Sequence, residues 1–128
     1  MENPSDRKYS KEHEWVKIEG EIVVVGITDY AQHALTDIVF VELPEVGKQV
    51  ETGKQLCVLE SVKSVSDVFA PVSGEVVEVN TELEGEPGKI NSAPFDSWIA
   101  KIKLKDAAEL EELMDAQGYT DYVKGLEH

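Results

Sequence analysis

A lone cysteine, Cys57, rules out an intramolecular disulfide in this chain of 128 residues, and with it the disulfide-stapled class of small domain. Cys57 lies in the apolar run Leu56-Cys57-Val58-Leu59 with no base beside it, so it reads as a buried strand thiol and not as a nucleophile. Histidine is scarce too: His13, His33 and His128 show no metal-ligand spacing, and no metal site is expected. No apolar run approaches the roughly 20 residues that cross a bilayer. Residues Met1 to Lys8 form neither the apolar block of a secretion signal nor an Arg-rich, acid-poor transit sequence. A cytoplasmic (bacterial) protein is the expectation, with a trimmed organellar protein as the alternative. There is no G-x-S-x-G elbow, P-loop or dinucleotide-type glycine pattern. Carboxylates are so many that no acid/base pair stands out. A catalyst in its own right is therefore not expected.

Basic residues are few: 12 Lys and Arg face 26 Asp and Glu, for a net charge of −14. Such a field repels nucleic acid and anionic membranes, favours partners with basic surfaces, and opposes self-association. A monomer is the expectation. The length suits one domain, taken as residues 1–125, with Leu126-Glu127-His128 set aside as the stump of an expression tag.

What the chain does have is valine-rich strand pattern. Glu14 to Lys17 and Glu21 to Ile27 read as strands about the turn Glu19-Gly20. Thr28 and Asp29 offer caps for a short helix of about two turns, with Ala31, Ala34 and Leu35 as its apolar positions. Ile38 to Val41 is a strand closed by Pro44. Val41, Pro44, Gly47 and Val50 then recur as Val68, Pro71, Gly74 and Val77, each displaced by 27 residues. Both copies read as strand, proline, glycine turn, strand: two hairpin-bearing halves that share a core. After the strand Glu75 to Val79, residues 81–94 read as a long, functional or well-packed loop. Trp98 to Leu104 is a strand, and Asp106 caps a helix from Ala107 to about Gln117 striped by Leu110, Leu113 and Met114, with Gly118 as its stop. Tyr119 to Lys124 is left as a short further turn. The fold class is mainly β, a flattened barrel or sandwich with a short early helix and a C-terminal helix.

Midway between the two copies lies Glu60-Ser61-Val62-Lys63-Ser64-Val65-Ser66-Asp67. Strand pattern on both sides and small polar residues about one lysine predict a tight reversal with Lys63 at its tip. No Gly or Asn-Gly marks the turn, so this expectation rests on the symmetry of the repeat. A lysine there is open to a modifying enzyme without any unfolding.

These residues carry a family resemblance. Val58 to Val76, with Glu60-Ser61-Val62-Lys63 at its centre, resembles the lipoylation hairpin of the glycine cleavage H proteins. So do His13-Glu14-Trp15-Val16, Val25 to Gln32, Asp37 to Pro44, Gly74 to Asn80, and Ile90-Asn91-Ser92 with Pro94. Biotin carriers typically flank their lysine with methionines, which Val62 and Ser64 do not match; acyltransferase lipoyl domains usually carry Asp-Lys-Ala. The resemblance covers about residues 8–122.

It implies a lipoyl/biotinyl-carrier type fold and a non-catalytic carrier with lipoate amide-linked to Lys63. Loss of the lysine charge would leave about −15. The implied partners are glycine decarboxylase, aminomethyltransferase, dihydrolipoamide dehydrogenase and the lipoate-attaching enzyme. The implied task is to pass the aminomethyl group of glycine between the first two and electrons to the third. Glu60 is the expected recognition residue for the attaching enzyme. Glu14 and Asp67, with Ser10 nearby, are the carboxylate-bearing cleft expected to shield the loaded arm. Some members carry a histidine one position after His33; Ala34 fills that place, so His33 inherits no role. Thr36 stands where the family usually has glycine. Two readings compete: a lipoyl-relay protein serving 2-oxoacid dehydrogenase complexes, and an unmodified acidic interaction module.

Overall fold

The structure, a computed structural model, describes residues 2–126. Nine strands form two antiparallel sheets stacked as a sandwich. The larger sheet takes β1 (Lys8–Tyr9), β2 (Glu14–Glu19), β3 (Ile22–Ile27), β5 (Gln49–Val50), β8 (Gly74–Val79) and β9 (Ala100–Leu104), in the order β1-β2-β3-β9-β8-β5. The smaller takes β4 (Ile38–Glu42), β6 (Gln55–Ser61) and β7 (Val65–Phe69), in the order β4-β6-β7.

Alternation along each strand gives the inner face. Val23, Val25 and Ile27 of β3, Leu59 of β6 and Val76 and Ile102 across the larger sheet are all at or near full burial, as period-2 patterning requires. Cys57 joins them: its thiol is 3% exposed, and burial raises its pKa to about 12, so it stays protonated. The outer face of the larger sheet carries a second cluster of Tyr9, Trp15, Val24, Phe95 and Tyr119. Gly26 belongs to that arrangement, because a Cβ there would come within 2.5 Å of the Trp15 indole.

The repeat is real and meets in both sheets. Val41 on β4 and Val68 on β7 flank β6, pairing with Leu59 and Cys57. After its proline each copy crosses to the larger sheet, where β5 and β8 pair Val50 with Gly74. The two glycines do different work, however. Gly47 turns the chain at φ +96, whereas Gly74 lies in β8 because a Cβ would sit 2.0 Å from the Lys103 carbonyl oxygen. The expected second glycine turn is a close approach.

Two other expectations are corrected. The stretch 81–94 is not structureless: it holds α2 (Glu82–Gly85) and α3 (Lys89–Ser92), single turns that bury Leu83 and Ile90 completely. The C-terminal helix is also displaced. Asp106 does cap a helix through the Ala108 N–H at 2.9 Å, but this is a short 3₁₀ helix, Ala107–Glu112. Met114 then exchanges backbone bonds with Tyr9, both 2.8 Å. Asp115 accepts from the Gly118 N–H at 2.7 Å and opens α4 (Ala116–Leu126). A carboxylate at that point caps a helix, and glycine in a first turn costs less than in the interior, so Gly118 starts the helix that it was expected to stop. Leu126, set aside as tag, ends α4; Glu127 and His128 lie outside the described residues. No helix among the described residues is long and apolar enough to cross a membrane.

Candidate functional site

The reversal between β6 and β7 is built by Ser61. Its hydroxyl accepts from the N–H groups of Lys63 at 3.2 Å and Ser64 at 3.0 Å, while its own N–H donates to the Ser64 carbonyl at 2.8 Å. A serine side chain thus replaces the glycine that such a turn ordinarily uses. The Val62 N–H donates to the Asp37 carbonyl at 2.9 Å, tying the tip to the segment before β4. Lys63 is exposed at the tip, and no carboxylate among the described residues pairs with it.

The outer face of the smaller sheet surrounds this tip. Phe40, Glu60 and Val65 stand side by side across β4, β6 and β7. Phe40 and Val65 are 46% and 64% exposed and Val62 is 68% exposed. Glu60 is half-buried among them. An apolar surface with one carboxylate at its centre therefore adjoins the lysine.

A cleft of about 230 Å³ opens on the β7 side of the hairpin. One wall is Glu12, His13 and Glu14, leading into β2; a second is Tyr30, Ala31, Ala34 and Leu35 of α1 (Asp29–Leu35); Ser66 to Phe69 of β7 forms the third. Glu14 and Asp67 are thus brought to one cavity. Ser10 is not part of its lining, but its hydroxyl donates to the Glu14 carboxylate, as does the Phe69 N–H. Glu14 is 2% exposed. Burial, partly offset by those two donors, pushes its pKa up to about 7. Asp67 is exposed and accepts from the Gln55 amide at 2.8 Å. His33 points away: its side chain is 74% exposed and pairs with Asp29 at 3.4 Å.

Sequence reasoning missed three contributors. His13 and Tyr30 line the cleft with their rings 4.5 Å apart, and Tyr119 of α4, buried behind the lining, bonds the His13 ring. Only the left-handed backbone of His13, φ +71, is unusual for its type, and no local pattern announces it.

A sandwich whose sequence repeat straddles one exposed lysine, with a cleft of mixed polar and apolar lining beside it, defines a carrier module that presents an attached group. The chain belongs to the glycine cleavage H-protein family, whose model matches residues 7–126. It is 62% identical over 120 residues to the probable glycine cleavage system H protein of Pyrococcus furiosus, covering 92% of this chain and 90% of that one. It is 53% identical over 125 residues to the H protein of Thermus thermophilus, covering 97% and 98%. The crystal structure of a glycine cleavage system H protein from Mycobacterium marinum superposes with a TM-score of 0.85 at 38% identity, covering 98% of this chain and all of that one. Members of this family carry covalent lipoate on a lysine, so the chain is a lipoyl carrier of the glycine cleavage system and not an enzyme. It works with the other components of that system.

Proposed function

We propose that Lys63 is the lipoylated lysine, and that the chain carries its arm in turn to glycine decarboxylase, the aminomethyltransferase and dihydrolipoamide dehydrogenase. The observation that carries this assignment is the exposed Lys63 ammonium at the tip of a serine-locked turn. Because it pairs with no carboxylate among the described residues, acylation removes its charge without orphaning an anion. Lipoate, once attached, would supply a disulfide that is reduced as it takes up the aminomethyl carbon of glycine, and a dithiol that is reoxidised after the carbon has been passed on.

The protein's own residues do the rest. The Ser61 turn holds the attachment point clear of the sandwich, and tethering keeps the carried group at high local concentration at each partner. Glu60, central in the apolar surface beside the tip, is the contact for the lipoate-attaching enzyme. Glu14 and Asp67 give the cleft two carboxyl groups as acceptors for a cationic amine, and Ser10 fixes the Glu14 carboxyl. Ser66, on the β7 wall of the cleft, lies three residues after Lys63 in the chain. The net charge of −14 favours basic docking surfaces and a monomeric carrier, and the cytoplasm is its proposed compartment. Residues 1–125 act as one carrier domain.

With the three partner enzymes reconstituted, lipoylated wild type supports release of carbon dioxide from glycine, and Lys63→Arg supports none. Equal release from Lys63→Arg would place the arm elsewhere. For the cleft, the Glu14→Gln, Asp67→Asn double variant loses its aminomethyl group to water faster than wild type; an unchanged rate ends that part of the reading.

A further inference from the structure

The Tyr119 hydroxyl is completely buried and touches two walls of the cleft at once. It lies 2.8 Å from His13 Nδ1 and 2.7 Å from Thr28 Oγ1. Thr28 is the N-cap of α1, accepting from the Ala31 N–H at 3.3 Å, and α1 is one wall. His13 belongs to the opposite wall and is joined to Thr28 by a second bond, from the Thr28 N–H to the His13 carbonyl at 3.1 Å. Burial lowers the pKa of His13 and keeps its imidazole neutral. Either Thr28 donates to Tyr119 and Tyr119 to Nδ1, or the Nδ1–H tautomer donates to Tyr119 and Tyr119 to Thr28 Oγ1; both arrangements join the three groups through the Tyr119 hydroxyl.

We propose that Tyr119 is a positioning residue: through His13 and Thr28 its hydroxyl sets the separation of the cleft walls and holds the Ser10–Glu14 segment closed. That segment is a tight loop. The Ser10 N–H donates to the Glu14 carbonyl at 3.0 Å, the His13 N–H donates to the Ser10 carbonyl at 3.1 Å, and the Glu14 N–H donates to Ser10 Oγ at 3.2 Å. Its weak point is His13, whose φ of +71 is uncommon outside glycine, though histidine adopts it more readily than most residues, and is held here by its surroundings. Beside the Tyr30 ring and the backbone bonds to Ser10 and Thr28, Tyr119 supplies the side-chain bond to the His13 ring, from a helix that itself rests on Tyr9 with the two rings stacked at 4.9 Å. Without the hydroxyl, His13 relaxes, the loop opens, and water reaches Glu14. The carboxylate then sheds more readily the proton that burial makes it keep; the acidic groups facing it are Glu12, Tyr119 and Cys57, and no cation among the described residues pairs with it.

This inference rests on the cleft reading given above, and its test separates the two. In unlipoylated protein labelled with ¹³C at the glutamate carboxyl, Glu14 titrates with a midpoint near 7 in wild type. Tyr119→Phe keeps the ring and its stack but drops the midpoint by one unit or more. His13→Asn, whose δ-atom stands where Nδ1 does and whose backbone accepts a left-handed conformation, retains the wild-type midpoint. His13→Ala behaves as Tyr119→Phe and serves as the second variant should that one not fold. An unchanged midpoint in folded Tyr119→Phe or His13→Ala overturns the proposal, leaving Tyr119 a packing residue. In the loaded protein, Tyr119→Phe also loses the aminomethyl group severalfold faster. If wild type loses it as fast as free aminomethyl-lipoamide does, the cleft reading fails, while the titration still reports on Tyr119.

Discussion

The Ser10 hydroxyl donates to the Glu14 carboxylate four residues along the chain, and that bond stands where a counter-ion would be expected. Glu14 is buried on β2 with hydroxyl and backbone donors but no paired cation among the described residues. A carboxylate placed so costs stability when ionised, which makes the cleft wall a sensitive position.

The consequence is a pH dependence of definite sign. Burial raises the folded pKa of Glu14 from 4.5 to about 7, so the folded state holds the proton more tightly than the unfolded chain between those values. Stability from this group falls as pH rises from 4.5 to 7 and levels off above. Glu14→Gln, which keeps the acceptor for Ser10 and Phe69, is expected to stabilise the protein by about 2–3 kcal/mol at pH 8 and to change little at pH 4.5. Urea denaturation at the two pH values measures this; equal effects at both would refute it.

Removing the turn chemistry should weaken presentation of the lysine. Ser61→Ala loses the acceptor for two backbone N–H groups and is expected to cost about 1 kcal/mol. It also slows lipoate attachment severalfold, because Lys63 no longer occupies one position. Attachment time courses on purified protein report it, and an unaltered rate would show that the attaching enzyme shapes the turn itself.

Glu60→Gln keeps the volume of the side chain between Phe40 and Val65 and removes only its charge. The expected result is slower attachment at unchanged thermal stability. Attachment at the wild-type rate would return Glu60 to an ordinary half-buried surface carboxylate.

Thr36 ends α1 at φ +65 and ψ −154, a region that suits glycine and strains a β-branched residue. Its carbonyl accepts from Asn91 Nδ2 at 2.8 Å, and that bond survives a change of side chain. Thr36→Gly is expected to stabilise by about 1 kcal/mol, the relief of strain exceeding the added freedom of the unfolded chain. A lower denaturation midpoint would contradict this.

The strands and the lysine tip were legible because valine alternation and a repeated proline and glycine are local signals. The core followed from them, down to Cys57. Single helical turns such as Glu82–Gly85 and Lys89–Ser92 are too short for a period to show, so Leu83 and Ile90 gave no sign of their burial. Leu110, Leu113 and Met114 have helical spacing, yet Asp115 opens a new helix and Met114 pairs with Tyr9. Propensity there yielded to a cap and a bridge. Glu14, Asp67 and Ser10 were named through the family resemblance. The bond from Tyr119 to His13 spans 106 residues, and no pattern within either segment could announce it.

The central claim is that Lys63 bears the arm. Intact mass spectrometry of protein co-produced with a lipoate ligase and free lipoate, beside Lys63→Arg, tests it directly. One lipoyl increment on wild type and none on the variant is the predicted result. An increment on both would put the arm on another lysine, and an increment on neither would contradict recognition of this hairpin altogether.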